Sequence, residues 1–356
     1  MNMTFRWYGR GNDTVKLEHV KQIPGVKGIV WALHDKPVGE RWTEAEIKAE
    51  VDYIQSFGFH AEVVESVNIH EAIKLGNEDR DLYIENYKQT IRHLGKYGVK
   101  VICYNFMPIF DWTRSDLFKE LPDGSTALFY EKDIVEGRDP QELIEIFSSY
   151  KEMTLPGWEP EKIAKIKELF QAYEGMTEEQ LWENLAYFLK AILPVAEQSG
   201  IKMAIHPDDP PWSIFGLPRI MTGRSSLKKL LSISDSPSNG ITFCTGSLGS
   251  NRNNDVVALA EEFAKSSPFA HVRNIRIFEN GDFIETSHLT EDGSLNISGV
   301  MKVLSGNEYQ GYLRPDHGRH IWGEKCRPGY GLYDRALGIM HLLGLWDAYQ
   351  SLKGGK

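Results

Sequence analysis

The sequence predicts a closed (β/α)8 TIM barrel, one domain over residues 1–356, with a helical insertion at 106–176 after the fourth strand. Three observations carry this expectation. Short apolar runs alternate with amphipathic stretches about eight times along the chain. Most runs end in a polar or titratable residue, as strands do at the mouth of such a barrel. No GxGxxG follows a strand, which disfavours the runner-up, a doubly wound open sheet that binds a dinucleotide.

Taken in order, Arg6–Tyr8 lies in a first short strand, and Val15–Ile23 has the length of a short helix. Gly28–Leu33 is the second strand and ends at His34-Asp35. Thr43-Glu44-Ala45-Glu46 has capping-box form, and Ile47, Val51, Ile54 and Phe57 recur at helical spacing before Gly58. Phe59–Val64 reads as a strand ending at Glu65-Ser66, Asp79–Tyr97 as a helix, and Val99–Tyr104 as the fourth strand. The alternation then breaks. Residues 106–176 are polar and interrupted by Pro and Gly, with Asp139-Pro140 as a helix start and Ile163, Ile166, Leu169 and Phe170 on one helical face. A connection this long in a compact fold is commonly functional, so it is read as lying over one mouth of the barrel.

Thr177-Glu178-Glu179-Gln180 restarts the pattern with a helix to Gln198. Ile201–Ile205 is a strand ending at His206-Pro207-Asp208-Asp209, and Ser225–Ser232 is a helix. Gly240–Phe243 is a strand ending at Cys244-Thr245-Gly246, followed by the helix Asp255–Lys265. Phe269–Ile277 is a strand, and Asn280-Gly281 forms the turn of a small hairpin. The helix Ile297–Leu304, the strand Tyr309–Leu313 and a terminal helix with Leu332, Ala336, Ile339 and Leu343 on one side complete the chain.

Composition narrows the function. A formal charge of −10 argues against a broad nucleic-acid or anionic-membrane surface, so an anionic substrate would need local Arg or Lys. There is no apolar run of membrane-spanning length and no signal-peptide pattern at the start. Cys103, Cys244 and Cys326 form no CxxC pair, which fits a reducing cytoplasm. An assembly of like subunits stays open.

Chemistry concentrates near strand ends. His206, Cys244, His271 and Asp316 lie at, near or within four late strands, and two imidazoles, a thiolate and a carboxylate suit a divalent transition ion with room for substrate oxygens. Taken singly, Cys244 reads as a small core residue, His271 as a satisfied core histidine and His206-Pro207 as a turn; recurrence on consecutive strands favours the joint reading. Arg273, Arg314 and Arg319 could grip a carboxylate, although for any one of them a salt bridge at the mouth is the plainer reading. Trp7, Trp212 and Trp322 could wall a polyol site, and Asp208 and Asp209 could support the centre. His34 and Glu65 are weaker candidates on the same rim. In Gly311–Tyr330, Asp316 and His317 precede Gly318, whose freedom permits a sharp turn.

Five segments carry a resemblance: Phe5-Arg-Trp-Tyr-Gly9, Ala204-Ile-His-Pro-Asp-Asp-Pro-Pro211, Phe243-Cys-Thr-Gly-Ser247, His271-Val-Arg-Asn274 and Leu313-Arg-Pro-Asp-His-Gly-Arg319. Together they resemble the mannonate dehydratase family of the xylose-isomerase-like barrel superfamily, over nearly the whole chain. The resemblance implies dehydration of D-mannonate to 2-keto-3-deoxy-D-gluconate in hexuronate catabolism, with Mn2+ or Fe2+. It also implies that His206, Cys244, His271 and Asp316 hold the metal and that His317 and Tyr330 transfer protons; Trp7, Arg273, Arg314 and Arg319 are expected to face a sugar-acid substrate on the reading of the residues alone. The chemistry agrees with such a set. The C2 proton is weakly acidic, hydroxide departs from C3, and the reaction asks for a Lewis acid, a base and an acid. The alternatives are a metal-dependent sugar isomerase or epimerase of the same fold, which would favour a carboxylate-rich site with a Lys, and a non-catalytic sugar-acid-binding protein. A DNA endonuclease on this fold is disfavoured by the acidic charge.

Overall fold

Eight parallel strands close into a barrel: β1 (Asn2–Arg6), β2 (Gly28–Trp31), β3 (His60–Glu65), β4 (Val101–Tyr104), β7 (Lys202–Ile205), β8 (Asn239–Cys244), β9 (Phe269–Val272) and β12 (Tyr312–Pro315). Each pairs with its neighbour in chain order, and β1 closes the ring against β12. The computed structural model describes residues 1–137 and 165–354. β2 and β4 are buried along their whole length, as their Val- and Ile-rich composition requires of strands covered on both faces. Alternate side chains divide between two environments. Val30, Val63, Val101, Cys103, Ala204 and Phe269 form one buried cluster, filling the barrel. Ile29, Val64, Ile102, Met203 and Ala270 pack instead with the surrounding helices. That period of two also decides which residues at the strand ends can face the mouth.

Helices cover the outside, and their starts follow the sequence signals. Glu44–Ser56 is closed by a full capping box at Thr43 and Glu46, and Glu178–Gln198 by one at Thr177 and Gln180. Among the described residues, no helix is long and apolar enough to cross a membrane.

A second sheet lies apart from the barrel strands, with the antiparallel order β10 (Ile275–Ile277), β11 (Phe283–Glu285), β6 (Thr126–Tyr130) and β5 (Asp116–Glu120). The hairpin expected at Asn280-Gly281 joins β10 to β11, with Gly281 at φ +96°. β5 and β6 lie within the long connection after β4, so its described part carries strands as well as helices. They form a hairpin around Asp123-Gly124, with Gly124 at φ +80°, flanked by the β-rich run Thr126–Tyr130. Beneath them is a second apolar cluster that includes Ile109, Phe110, Leu117, Leu128 and Ile166. The helix start expected at Asp139-Pro140, and Ile163, lie outside the described residues.

Among the strand boundaries that differ from expectation, three have a visible cause. β1 occupies Asn2–Arg6 because Asn2 pairs with Tyr312 and Thr4 with Gly28, so polar residues are drawn into the ring. β12 runs to Pro315, opposite Val272. The single strand expected over Phe269–Ile277 is two, broken at Arg273-Asn274. The Asn274 side chain accepts from the amides of Ile275 and Leu295 there, which redirects the chain into the second sheet.

Leu128 is fully buried in the second apolar cluster. Leu128→Ala is expected to lower the unfolding free energy by about 2–5 kcal/mol in urea titration. An unchanged midpoint would show that this layer unfolds separately from the barrel.

Candidate active site and metal centre

Strand alternation brings the donor groups together. His206, Cys244, His271 and Asp316 follow the inward-facing Ala204, Thr242, Phe269 and Arg314 by two residues each. One ligand atom from each of the four lies within 4.8 Å of the others. Cys244 Sγ is 3.5 Å from Asp316 Oδ2, and His271 Nδ1 is 3.8 Å from Asp316 Oδ1. Glu65 Oε2 lies 3.4 Å from His271 Nε2, but the geometry is not that of a hydrogen bond, and that buried nitrogen has no hydrogen-bond partner. Glu65, Cys103 and His271 form a second convergent group, but Arg314 already grips both oxygens of Glu65, at 2.8 and 3.1 Å.

Orientation and charge of the donors are set from behind. His206 Nδ1 donates to the Pro207 carbonyl at 2.6 Å, which leaves Nε2 for the centre. Asp316 forms ion pairs with Arg314, at 2.9 Å, and with Arg273 Nε, at 2.8 Å. Burial works to raise the Asp316 carboxyl, but His317, Arg314 and Arg273 outweigh it and hold the group well below the usual range. Burial and Asp316 push the Cys244 thiol up, yet Arg273 and His206 bring it to about 5, so it is a thiolate near neutrality. Two imidazoles, a thiolate and a carboxylate, already oriented and ionised, fit a divalent transition ion.

Beside these donors stands a hydrogen-bonded chain of Glu285, His317 and Tyr330. His317 Nε2 is 3.0 Å from the Tyr330 hydroxyl, and His317 Nδ1 is 3.2 Å from Glu285 Oε1. Glu285 ends β11 and is fully buried. Burial works to raise its carboxyl, but Arg273, His317 and Arg114 hold it at about 2, so it accepts a proton-bearing Nδ1 and leaves Nε2 to Tyr330. Arg114 spans Asp209, at 2.8 and 3.0 Å, and Glu285, at 2.9 Å. Arg273 binds Asp209 at 2.7 Å and also contacts Glu285. Gly246 leaves the room that Arg273 needs, because a Cβ there would overlap the guanidinium.

One cavity is lined by His206, Asp316, His317, Tyr330 and Arg314, together with His34, Glu65 and Asp209. Other expected residues lie elsewhere. Trp7 is out of phase with Arg6, so it stacks on Tyr53 in the helix layer and donates to the Val15 carbonyl. Arg273 is behind the centre with three carboxylates around it. Arg319 pairs with Asp334 and Asp123, away from the cavity. Arg314 reaches the cavity, but Glu65 and Asp316 already engage it. Trp212 donates to the Tyr130 hydroxyl, Trp322 is exposed beside Tyr333, and Asp208 accepts from the Met221 amide. Sequence reasoning missed Tyr8, Arg114, Glu285 and Arg327 altogether. Arg6 was passed over although it sits next to Trp7 with the parity that faces inward.

Cys244→Ala is expected to lose bound divalent metal while the fold is kept; full metal content measured by elemental analysis would remove it from the donor set. Glu285 supplies the pH prediction. Its ionised form stabilises the folded state above the ordinary carboxyl value of 4.5, and that contribution is lost as pH falls toward about 2. Glu285→Gln should therefore be less stable near neutrality and lose less on acidification through this window. Parallel thermal-unfolding curves for both proteins across pH would contradict that.

The geometry can be set beside known proteins. The model of the family D-mannonate dehydratase (UxuA) matches residues 1–355. The mannonate dehydratase of Bacillus subtilis (strain 168) is 71% identical over 352 residues, covering 99% of this chain and 98% of its own. The crystal structure of mannonate dehydratase from Streptococcus suis serotype 2 superposes with a TM-score of 0.90 at 46% identity, covering 99% of this chain and 96% of that one. A xylose isomerase domain protein from Planctomyces limnophilus shares the fold alone, at a TM-score of 0.53 and 13% identity over 98% of this chain and 96% of that one. With a family model spanning the barrel from first strand to last helix and a relative this similar over its full length, the chain belongs to the D-mannonate dehydratase family.

Proposed function

We propose that the chain converts D-mannonate to 2-keto-3-deoxy-D-gluconate and water in hexuronate catabolism, using Mn2+ or Fe2+ held by His206, Cys244, His271 and Asp316. The observation that carries this reading is one cavity lined by His206 and Asp316 of the four-donor group and by a hydrogen-bonded His317–Tyr330 pair. When bound, the ion supplies a Lewis acid that draws charge from substrate oxygens, which acidifies C2 and eases loss of hydroxide from C3. The rest falls to the chain. Either His317 or Tyr330 takes the C2 proton, and the 3.0 Å contact between them gives a path by which a proton reaches the other. That partner protonates the C3 hydroxyl, which leaves as water, and the resulting enol becomes the 2-ketone. Glu285 keeps the Nδ1 side of the ring occupied throughout, so proton exchange is confined to Nε2. Three free, buried cysteines fit a reducing cytoplasm.

The test is direct. D-mannonate with the Mn2+-loaded protein is expected to yield a 2-keto-3-deoxy product, and chelation to abolish it; no product with any divalent ion overturns the reading. His317→Asn should keep its metal and lower kcat by about 10² or more. Deuterium exchange at C2 without elimination in that variant would make His317 the acid, and loss of both reactions is the pattern of a base. Normal elimination would take His317 out of the mechanism.

A further inference from the structure

The buried arginines of this barrel sort by what neutralises them. Arg114, Arg273 and Arg314 each meet two or more carboxylates, and Arg335 donates to the carbonyls of Arg6, Tyr330 and Gly331. Two stand apart. Arg327 is 2% exposed, its side chain has no hydrogen bond or ion pair with any described residue, and its Nε and Nη1 are buried and unpaired. Arg6 is 3% exposed and has only two long contacts, 3.4 Å to the Val30 carbonyl and 3.4 Å to His34 Nε2, with no carboxylate in ion-pair range among the described residues. A guanidinium hydrogen-bonds only as a donor, so His34 accepts through a bare Nε2 and offers no counter-charge.

Both cations rest against one ring. The guanidinium carbons of Arg6 and Arg327 lie 4.6 and 4.1 Å from the centroid of Tyr8. Tyr8 in turn meets Tyr330 edge-on at 4.8 Å. Arg6, Tyr8 and Arg327 line the same cavity as Asp316, His317 and Tyr330. A buried cation without a counter-ion is costly, and two beside one ring are costlier still. An anion entering the cavity would relieve both, and planar guanidinium groups match the two oxygens of a carboxylate.

We propose that Arg6 and Arg327, set against Tyr8, form the seat of the substrate carboxylate. This rests on the reading of the cavity as a sugar-acid site and adds the direction in which the substrate lies. The carboxylate end points to the Tyr8 side, which brings C2 next to Tyr330 and His317. Specificity for an acid over the corresponding amide or alditol then resides in this pair, and Arg314 holds Glu65 and Asp316 in place.

The experiment compares D-mannonate with its uncharged amide, D-mannonamide, by calorimetric binding to the metal-loaded protein. Wild type is expected to prefer the acid by about tenfold or more, and Arg327→Met to lose that preference by weakening the acid alone. Arg327→Lys should recover part of it. Equal weakening of both ligands, or undiminished preference for the acid in Arg327→Met, overturns the proposal. Should the variants fail to fold, a crystal structure of the metal-loaded wild type with D-mannonate decides. The carboxylate must then lie within about 3 Å of Arg6 or Arg327 nitrogens, and a carboxylate seated elsewhere refutes the seat. The dehydrated product has the same carboxylate, so turnover in the crystal does not blur the result. Turnover with the carboxylate elsewhere removes the seat and leaves the dehydratase reading, whereas binding at the pair without turnover does the reverse.

Discussion

The active end of this barrel depends on a buried alternation of charge. Arg114 and Arg273 stand among Asp209, Glu285 and Asp316, with every member of the set almost or fully inaccessible. Burying charge is expensive unless each group finds its opposite with good geometry, and removing one member leaves another uncompensated. The members come from different places. Asp209 follows β7, Arg273 follows β9, Asp316 follows β12, Glu285 ends β11, and Arg114 precedes β5. The network therefore ties the barrel mouth to the second sheet by electrostatics as well as by strand pairing.

Catalytic geometry follows from that tie. Asp316 is both a donor in the four-residue group and the anion on which Arg273 and Arg314 converge. Glu285 shares Arg273 with it, pairs with Arg114 as well, and also fixes the His317 ring. The candidate metal centre and the His317–Tyr330 pair are thus held by shared partners. Within the barrel the two-residue period does the rest, because side chains two positions beyond an interior residue arrive at the mouth from every strand.

Much of this was legible in the sequence, for identifiable reasons. The eightfold alternation of strands and the convergence of the four candidate donors could be read because each donor sits near a strand end or at an inward position, where local pattern and chemistry coincide. The roles of His317 and Tyr330 were named through family resemblance, since twelve residues of loop and turn lie between them and only folding brings them to 3.0 Å. The arginines were illegible. Arg273, Arg314 and Arg319 look no different in sequence from Arg6 and Arg327; what separates them is a counter-charge as far as 249 residues away, as Glu65 is from Arg314. Trp7 was misplaced because β1 begins at Asn2 and sets its parity. Glu285 was overlooked because it lies just past a hairpin that looked like decoration, and β5 and β6 because the Asp123-Gly124 turn between them went unread.

The second sheet has a consequence for how such barrels can be altered. In many barrels the excursions over the mouth are exchangeable parts, since each only has to reach across and close. Here the hairpin β5–β6 pairs with the strand that presents Glu285, and Arg114 just ahead of it supplies half the positive charge around Asp209 and Glu285. A graft that replaced this connection with a loop of equal length would leave Arg273 the one arginine against Asp209 and Glu285, and β11 without β6 at its side. The excursion is a structural member of the mouth, and specificity transplanted into this fold would have to carry its own cation and its own sheet edge.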